Sequence, residues 1–285
     1  MKPEPELTKA DLSPVEELRQ IAAGLRTHLE WLREGGVAGV PRPPRSVLPP
    51  PRPEPQGPAT RPAAPLSSPP RPAPPPSGLP DPLPVLGEEG LRLTRDILGN
   101  CRRCKLCHGR TQIVFGQGSP QPLLVFVGEG PGAEEDRSGL AFVGAAGELL
   151  TQMIGAMAKK ARELGAPAVA ARLSRDEVYI CNVVKCRPPG NRTPEADEMA
   201  ACGPFLRAQL QALRPRLIVA LGRTPAQYLL STAAPIGKLR GHMAQWEGIP
   251  VMPTYHPAYL LRTPSAKRQA WEDLQAVVAE LIRRS

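Results

Sequence analysis

Four short apolar runs stand out in the second half of the chain: Leu123–Val127, Val178–Val184, Leu217–Leu221 and Ile249–Met252. Each is short, rich in Val, Ile and Leu, and bounded by turn-forming residues, so each reads as a buried strand. Stretches with helical spacing of apolar residues separate and follow them, at about 144–164, 194–213, 224–230 and 265–283. Strands alternating with helices predict a parallel sheet with helices on both faces. The expected fold class is α/β, a three-layer α/β/α sandwich with a central four-stranded parallel sheet. Ligands of such folds sit at the carboxyl ends of the strands. Here the first strand runs into GEGPG, the second into NVVKCRPPGN, the third into LG and the fourth into TYHPAYLLR.

The first 90 residues follow a different pattern. Ser13, Pro14 and Glu16 form a helix start, and Val15, Leu18, Ala22, Leu25, Leu29 and Leu32 recur at spacings of three and four before Gly35-Gly36. Residues 1–36 therefore read as an isolated amphipathic helix. Its apolar stripe needs a cover: its own domain, a second copy or a protein partner. Twenty of the 38 prolines lie between Pro41 and Pro84. Proline supplies no amide hydrogen, and this stretch has almost nothing to bury, so residues 37–90 read as a disordered Pro-rich linker. Residues 91–285 remain as the folded domain.

Charge sharpens the picture. The formal balance is 36 − 27 = +9, and residues 85–285 carry 26 basic and 18 acidic groups, or +8. A basic domain suits a polyanionic partner such as nucleic acid. No run approaches the roughly 20 apolar residues of a membrane span, and MKPEPELTKADL lacks a signal-peptide core. A cytoplasmic protein with no membrane partner is expected. In that compartment six cysteines read as ligands or buried thiols rather than disulfides. Cys101-x2-Cys104 and Cys186-x15-Cys202 suit a four-thiolate site, which zinc and iron–sulfur clusters both accept. Cys181 falls inside a strand, and Cys107 stays open. GEGPG matches neither the P-loop nor the dinucleotide fingerprint.

Taken in order, CRRCKLCHGRTQIVFGQG, VFVGEGPGAEEDRSGLAFVGAAGELL, YICNVVKCRPPGNRTPEADEMAAC, LIVALG and KLRGHMAQWEGIPVMPTYHPAYLLR resemble the family 4 uracil-DNA glycosylases. These are the iron–sulfur members of the uracil-DNA glycosylase superfamily, and the resemblance covers about residues 95–283. It implies a DNA repair hydrolase that flips out uracil and cuts its N-glycosidic bond, leaving an abasic site. It also implies a [4Fe-4S] cluster on Cys101, Cys104, Cys186 and Cys202, with Cys107 left out. The implied catalytic residues are Glu129, Glu135 and His256, and the implied substrate pocket is Gly128, Gly130, Phe142 and Asn182. CRPPGNRTP holds no histidine and no insertion, which argues against a covalent-trapping relative.

These residue types fit that chemistry. Phe142 offers an aromatic face to a flipped base. Asn182 can read a base edge with both its oxygen and its NH2. His256 can donate to the base as its anion forms. Glu129 is the first choice for positioning water, Glu135 the second, and Asp136 is expected to be solvated. Leu260 or Leu261 would fill the space left by the base. Arg262, Lys238 and Arg240, with Lys185, Arg187 and Arg192, lie in loops on one edge and suit phosphate contacts. The alternatives are a non-catalytic iron–sulfur module of the same fold that binds DNA or a partner, and a redox protein.

Overall fold

The computed structural model describes residues 79–284 apart from Pro82. The expected N-terminal helix and most of the Pro-rich linker lie outside the described residues. In chain order the elements are α1 (Gly87–Leu98), a 3-10 turn (Lys105–His108), β1 (Gln117–Gly118), β2 (Leu124–Gly128), α2 (Ala133–Ser138) and α3 (Ala145–Glu163). There follow α4 (Ala168–Ala171), β3 (Tyr179–Asn182), α5 (Ala196–Leu213), β4 (Leu217–Leu221) and α6 (Arg223–Leu230). The chain ends with α7 (Ile236–Leu239), β5 (Ala244–Trp246), β6 (Ile249–Thr254), α8 (Pro257–Arg262) and α9 (Lys267–Arg283).

The sheet order is β1-β3-β2-β4-β6-β5. The four central strands are parallel, as expected, but the sheet has six strands. Antiparallel β1 and β5 close its two edges. At two and three residues they are too short to leave a periodic signal in the sequence.

Alternation along the strands sorts the core into two layers. Leu124, Phe126, Ile180, Leu217, Val219, Leu221 and Met252 point to the side covered by α3 and α9. Val125, Val127, Tyr179, Cys181, Ile218, Ala220 and Val251 point to the other side, where α5 and α6 contribute Leu206, Leu210, Ala226 and Leu229. Both faces are apolar because both are covered, which is why the central strands read as unbroken hydrophobic runs. No helix among the described residues is long and apolar enough to cross a membrane.

The folded part starts earlier than residue 91. Leu79 and Leu83 are buried with Leu98, Phe115 and Phe205 in a third cluster. The Leu83 amide donates to Gln211 Oε1 at 3.1 Å, and Asp81 pairs with Arg207 at 2.7 Å. Proline content hid this segment, because two leucines among prolines carry no periodicity. A chain beginning at Leu79 is expected to melt like the full-length protein. One beginning at residue 91 loses both leucines and the first turn of α1. At about 1.5–3 kcal/mol per buried leucine, its stability should fall by at least about 3 kcal/mol in denaturant titrations.

Candidate functional site

The carboxyl ends of β2, β3, β4 and β6 converge, and β2 ends on a glycine. A Cβ at Gly128 would lie 2.3 Å from Asn182 Oδ1 and 2.6 Å from Phe142 Cζ. Both side chains therefore press onto bare backbone. Gly128 pairs in register with Asn182 across β2 and β3, which fixes the amide at this spot. Asn182 is buried, and its Oδ1 has no hydrogen-bond partner among the described residues. An unsatisfied buried carbonyl oxygen costs roughly 1–3 kcal/mol unless something donates to it. The site is thus built to accept a donor.

Phe142 and His256 lie against each other at this strand edge, with ring centroids 5.5 Å apart and planes tilted by 32°. Phe142 has a left-handed backbone, φ 54°. That conformation costs a bulky residue roughly 1–2 kcal/mol, so other contacts must hold it. His256 is the N-cap of α8, and its Nδ1 accepts the Ala258 amide at 3.1 Å. Nδ1 being the acceptor, the neutral ring carries its proton on Nε2. Burial pushes the imidazole pKa down to about 4; Arg262 adds to the effect and Glu135 opposes it.

The two candidate carboxylates have different surroundings. Glu129 follows Gly128 and accepts the hydroxyl of Thr224, in the first turn of α6. Glu135 is fully engaged with backbone. Its Oε2 accepts the Gly132 amide at 3.0 Å, and its Oε1 accepts the Val143 and Gly144 amides at 2.9 and 3.0 Å. It ties the loop after β2 to the loop that carries Phe142. Asp136 is not solvated: it is buried and accepts the Thr111 amide through both oxygens. Gly130 backs onto Val184, with a would-be Cβ 2.8 Å from Val184 Cγ2.

The basic and apolar loop residues divide. Leu261 is 44% exposed, whereas Leu260 is 2% exposed and belongs to the core, so only Leu261 is free to act as a wedge. Helix α8 explains the split, since neighbours on a helix face different sides. Arg262 and Lys238 are exposed. Arg240 is not a free cation: its guanidinium pairs with buried Asp273, which also accepts Thr254 Oγ1, and it lies over the Tyr255 ring. Arg192 is held by Glu198 through two hydrogen bonds, and Arg187 donates to Asn191. Lys185 is fully buried, and its Nζ donates to the Asn182 carbonyl at 2.7 Å. Arg240 and Lys185 were expected to face phosphates, but the partner of the first lies thirty-three positions along the chain and the second is too deep to be read from loop composition.

A second feature lies on the opposite side of β3. Cys101, Cys104, Cys107, Cys186 and Cys202 line one narrow niche with Leu98, Ile113 and Ala201. Cys181 stays in the strand core. N–H groups point at the sulfurs: Arg103 to Cys101 and Arg110 to Cys186, both at 3.4 Å, and the Lys185 amide to Cys202 at 3.2 Å. Burial pushes the Cys202 thiol up to about 12 and raises Cys186 and Cys104. Such thiols ionise only against a bound cation, and the surrounding donors then stabilise the thiolates. The donor set is all sulfur, which suits a soft metal centre. Among the described residues no group of three potential ligands is placed to hold a metal ion as it stands. Cys107 joins the four expected ligands at the niche.

The family model described as uracil DNA glycosylase superfamily matches residues 115–275. The type-4 uracil-DNA glycosylase of Thermotoga maritima is 44% identical over 192 residues, covering 66% of this chain and 93% of that protein. Those of Sulfurisphaera tokodaii and Saccharolobus solfataricus are 42% and 41% identical over 197 residues, covering 84% and 85% of their lengths. The chain belongs to the uracil-DNA glycosylase superfamily, with its relatives among the type-4 members.

Thr224 and Arg175 are the side chains at this site that the sequence did not mark; Lys185 was marked, but for phosphates rather than for the Asn182 carbonyl. Only Thr224 left a signal, a hydroxyl in the first turn after a strand end. His256 yields a pH prediction. Its folded pKa, about 4, lies below the ordinary 6.5, so the unfolded chain takes up the proton first. The stability it contributes is full above pH 6.5 and is lost as pH falls towards 4. The melting-temperature gap between wild type and His256→Gln is expected to move in favour of the variant across that window, and to stay constant above it.

Proposed function

We propose that this protein is a DNA repair glycosylase that flips uracil out of DNA and hydrolyses its N-glycosidic bond, leaving an abasic site. The observation that carries this reading is the unpartnered Oδ1 of Asn182, which meets Gly128 together with the Phe142 ring, itself against His256. Uracil presents an N3–H donor beside a carbonyl acceptor, and the Asn182 amide complements both. Cytosine presents the reverse order and would set donor against donor. Phe142 gives the flipped base a face to stack on.

Cleavage leaves negative charge on the base and positive charge on the sugar. His256, neutral with its proton on Nε2, donates to the base carbonyl as that charge develops. Glu129, oriented by Thr224, offsets the sugar cation and positions the attacking water. Glu135 acts through the loops it joins. Leu261 fills the vacated space in the DNA, and Arg262 and Lys238 meet phosphates. The extension before Leu79 is dispensable for the chemistry.

The all-sulfur lining of the niche suits an iron–sulfur group, and zinc accepts the same four thiolates. Cys101, Cys104, Cys186 and Cys202 would hold a [4Fe-4S] cluster. Its contribution when bound is a cross-link between the chain before β1 and the loop and helix after β3.

Incubation with a uracil-containing oligonucleotide followed by alkaline cleavage tests the main reading; an uncut strand would reject it. Asn182→Asp places a carboxylate against the base edge and should slow uracil excision, whereas His256→Ala should cost roughly 10²–10³ in single-turnover rate without changing the preference for uracil over cytosine. For the niche, Cys186→Ser should lose visible absorbance and thermal stability together. Stoichiometric zinc in colourless, anaerobically purified wild type would reject the cluster.

A further inference from the structure

Phe142 has a left-handed backbone, and it sits at the entrance to α3. Its carbonyl lies over the first turn of that helix, where a Cβ at Gly147 would come within 1.8 Å of the oxygen. The amides that follow, on Val143 and Gly144, are held by Glu135. The carbonyl side is held by a residue from elsewhere. Arg175, in the segment between α4 and β3, donates through Nη2 to the carbonyls of Phe142, at 2.8 Å, and Ala141. Its Nη1 donates to Thr151 Oγ1 on α3 at 3.2 Å. With the Gln117 amide turned to present its oxygen, that oxygen accepts from Arg175 Nε and Nη2 at 3.3 and 2.8 Å.

We propose that Arg175 is a positioning residue for base recognition: its guanidinium clamps the Ala141–Phe142 carbonyls and so fixes the Phe142 ring in the orientation that stacks on the flipped base. The planar fork of arginine is what the arrangement uses. Two carbonyls, a hydroxyl and an amide oxygen lie around one rigid group, and a lysine ammonium cannot reach all of them with fixed geometry. Arg175 and Glu135 hold the two sides of the same short loop, one by its carbonyls and one by its amides. Opposite charges on the two clamps also attract each other across the loop. A hydrogen bond made by a charged group to a partly buried carbonyl is strong enough to select one backbone conformation against its relaxed alternatives.

This inference rests on the reading of Phe142 as the stacking face, and the test separates the two. The probes are a single-stranded oligonucleotide carrying one 2′-fluoro-2′-deoxyuridine, which resists cleavage, and the same strand with thymidine. Fluorescence anisotropy gives the preference for the first over the second. Arg175→Met should lower that preference by about tenfold, leaving thymidine-strand binding and visible absorbance unchanged. Arg175→Lys should fall between. In a Phe142→Ala background, Arg175→Met should have no further effect, because the ring it positions is gone. Wild-type preference in folded Arg175→Met, or an undiminished effect in the Phe142→Ala background, would overturn the proposal. Should Arg175→Met not fold, Arg175→Lys carries the same cycle. Unfolding of both, with Phe142→Ala folded, would make Arg175 purely structural. A wild type without preference for uracil would instead sink the reading of the pocket.

Discussion

The pocket depends on the missing side chain at the end of β2. Parallel pairing brings Asn182 beside Gly128, and the absence of a Cβ lets the amide and the Phe142 ring meet the backbone directly. Everything else in the site is arranged around that contact. The loop after β2 then turns through Glu129 and into α2, and Glu135 returns from α2 to hold the amides beyond Phe142. At the end of β4, α6 begins immediately and its Thr224 reaches Glu129. At the end of β6, His256 caps α8 and lies against Phe142. Four strand ends meet at this spot because a parallel sheet aligns its carboxyl edge.

The central sheet was legible because its strands are covered on both faces, so burial shows as uninterrupted Val, Ile and Leu. Helices α3, α5, α6 and α9 were legible for the complementary reason, since each buries one stripe. The edges were not: Gln117–Gly118 and Ala244–Trp246 are defined by their partner strands. The site was legible where its residues stand in order along the motifs, as with Asn182, Phe142 and His256. It was not legible where function depends on a distant partner. Arg240 looked like a phosphate contact until Asp273, thirty-three positions later, was seen to hold it. Leu260 and Leu261 are adjacent in sequence and differ only in the side of α8 they occupy. Arg175 has no motif at all, because its acceptors are main-chain oxygens, which leave no trace in side-chain identity.

The thiol niche shows the same dependence on distant groups. Its sulfurs come from the chain before β1, the loop after β3 and α5, and the donors to those sulfurs come from Arg103, Arg110 and the Lys185 amide. A metal centre bound by these sulfurs would close long loops, which is where a cross-link restricts the unfolded chain most. The basic residues around it also offset the charge that four thiolates would bring.

Lys185 gives this arrangement a wider meaning. Its amide faces Cys202 in the niche and its ammonium faces the Asn182 carbonyl, so one buried residue belongs to both the thiol niche and the base pocket. The niche and the strand end that presents Asn182 are thus joined through one side chain and its own amide. On the proposed reading, a change at the niche would reach base recognition through this lysine.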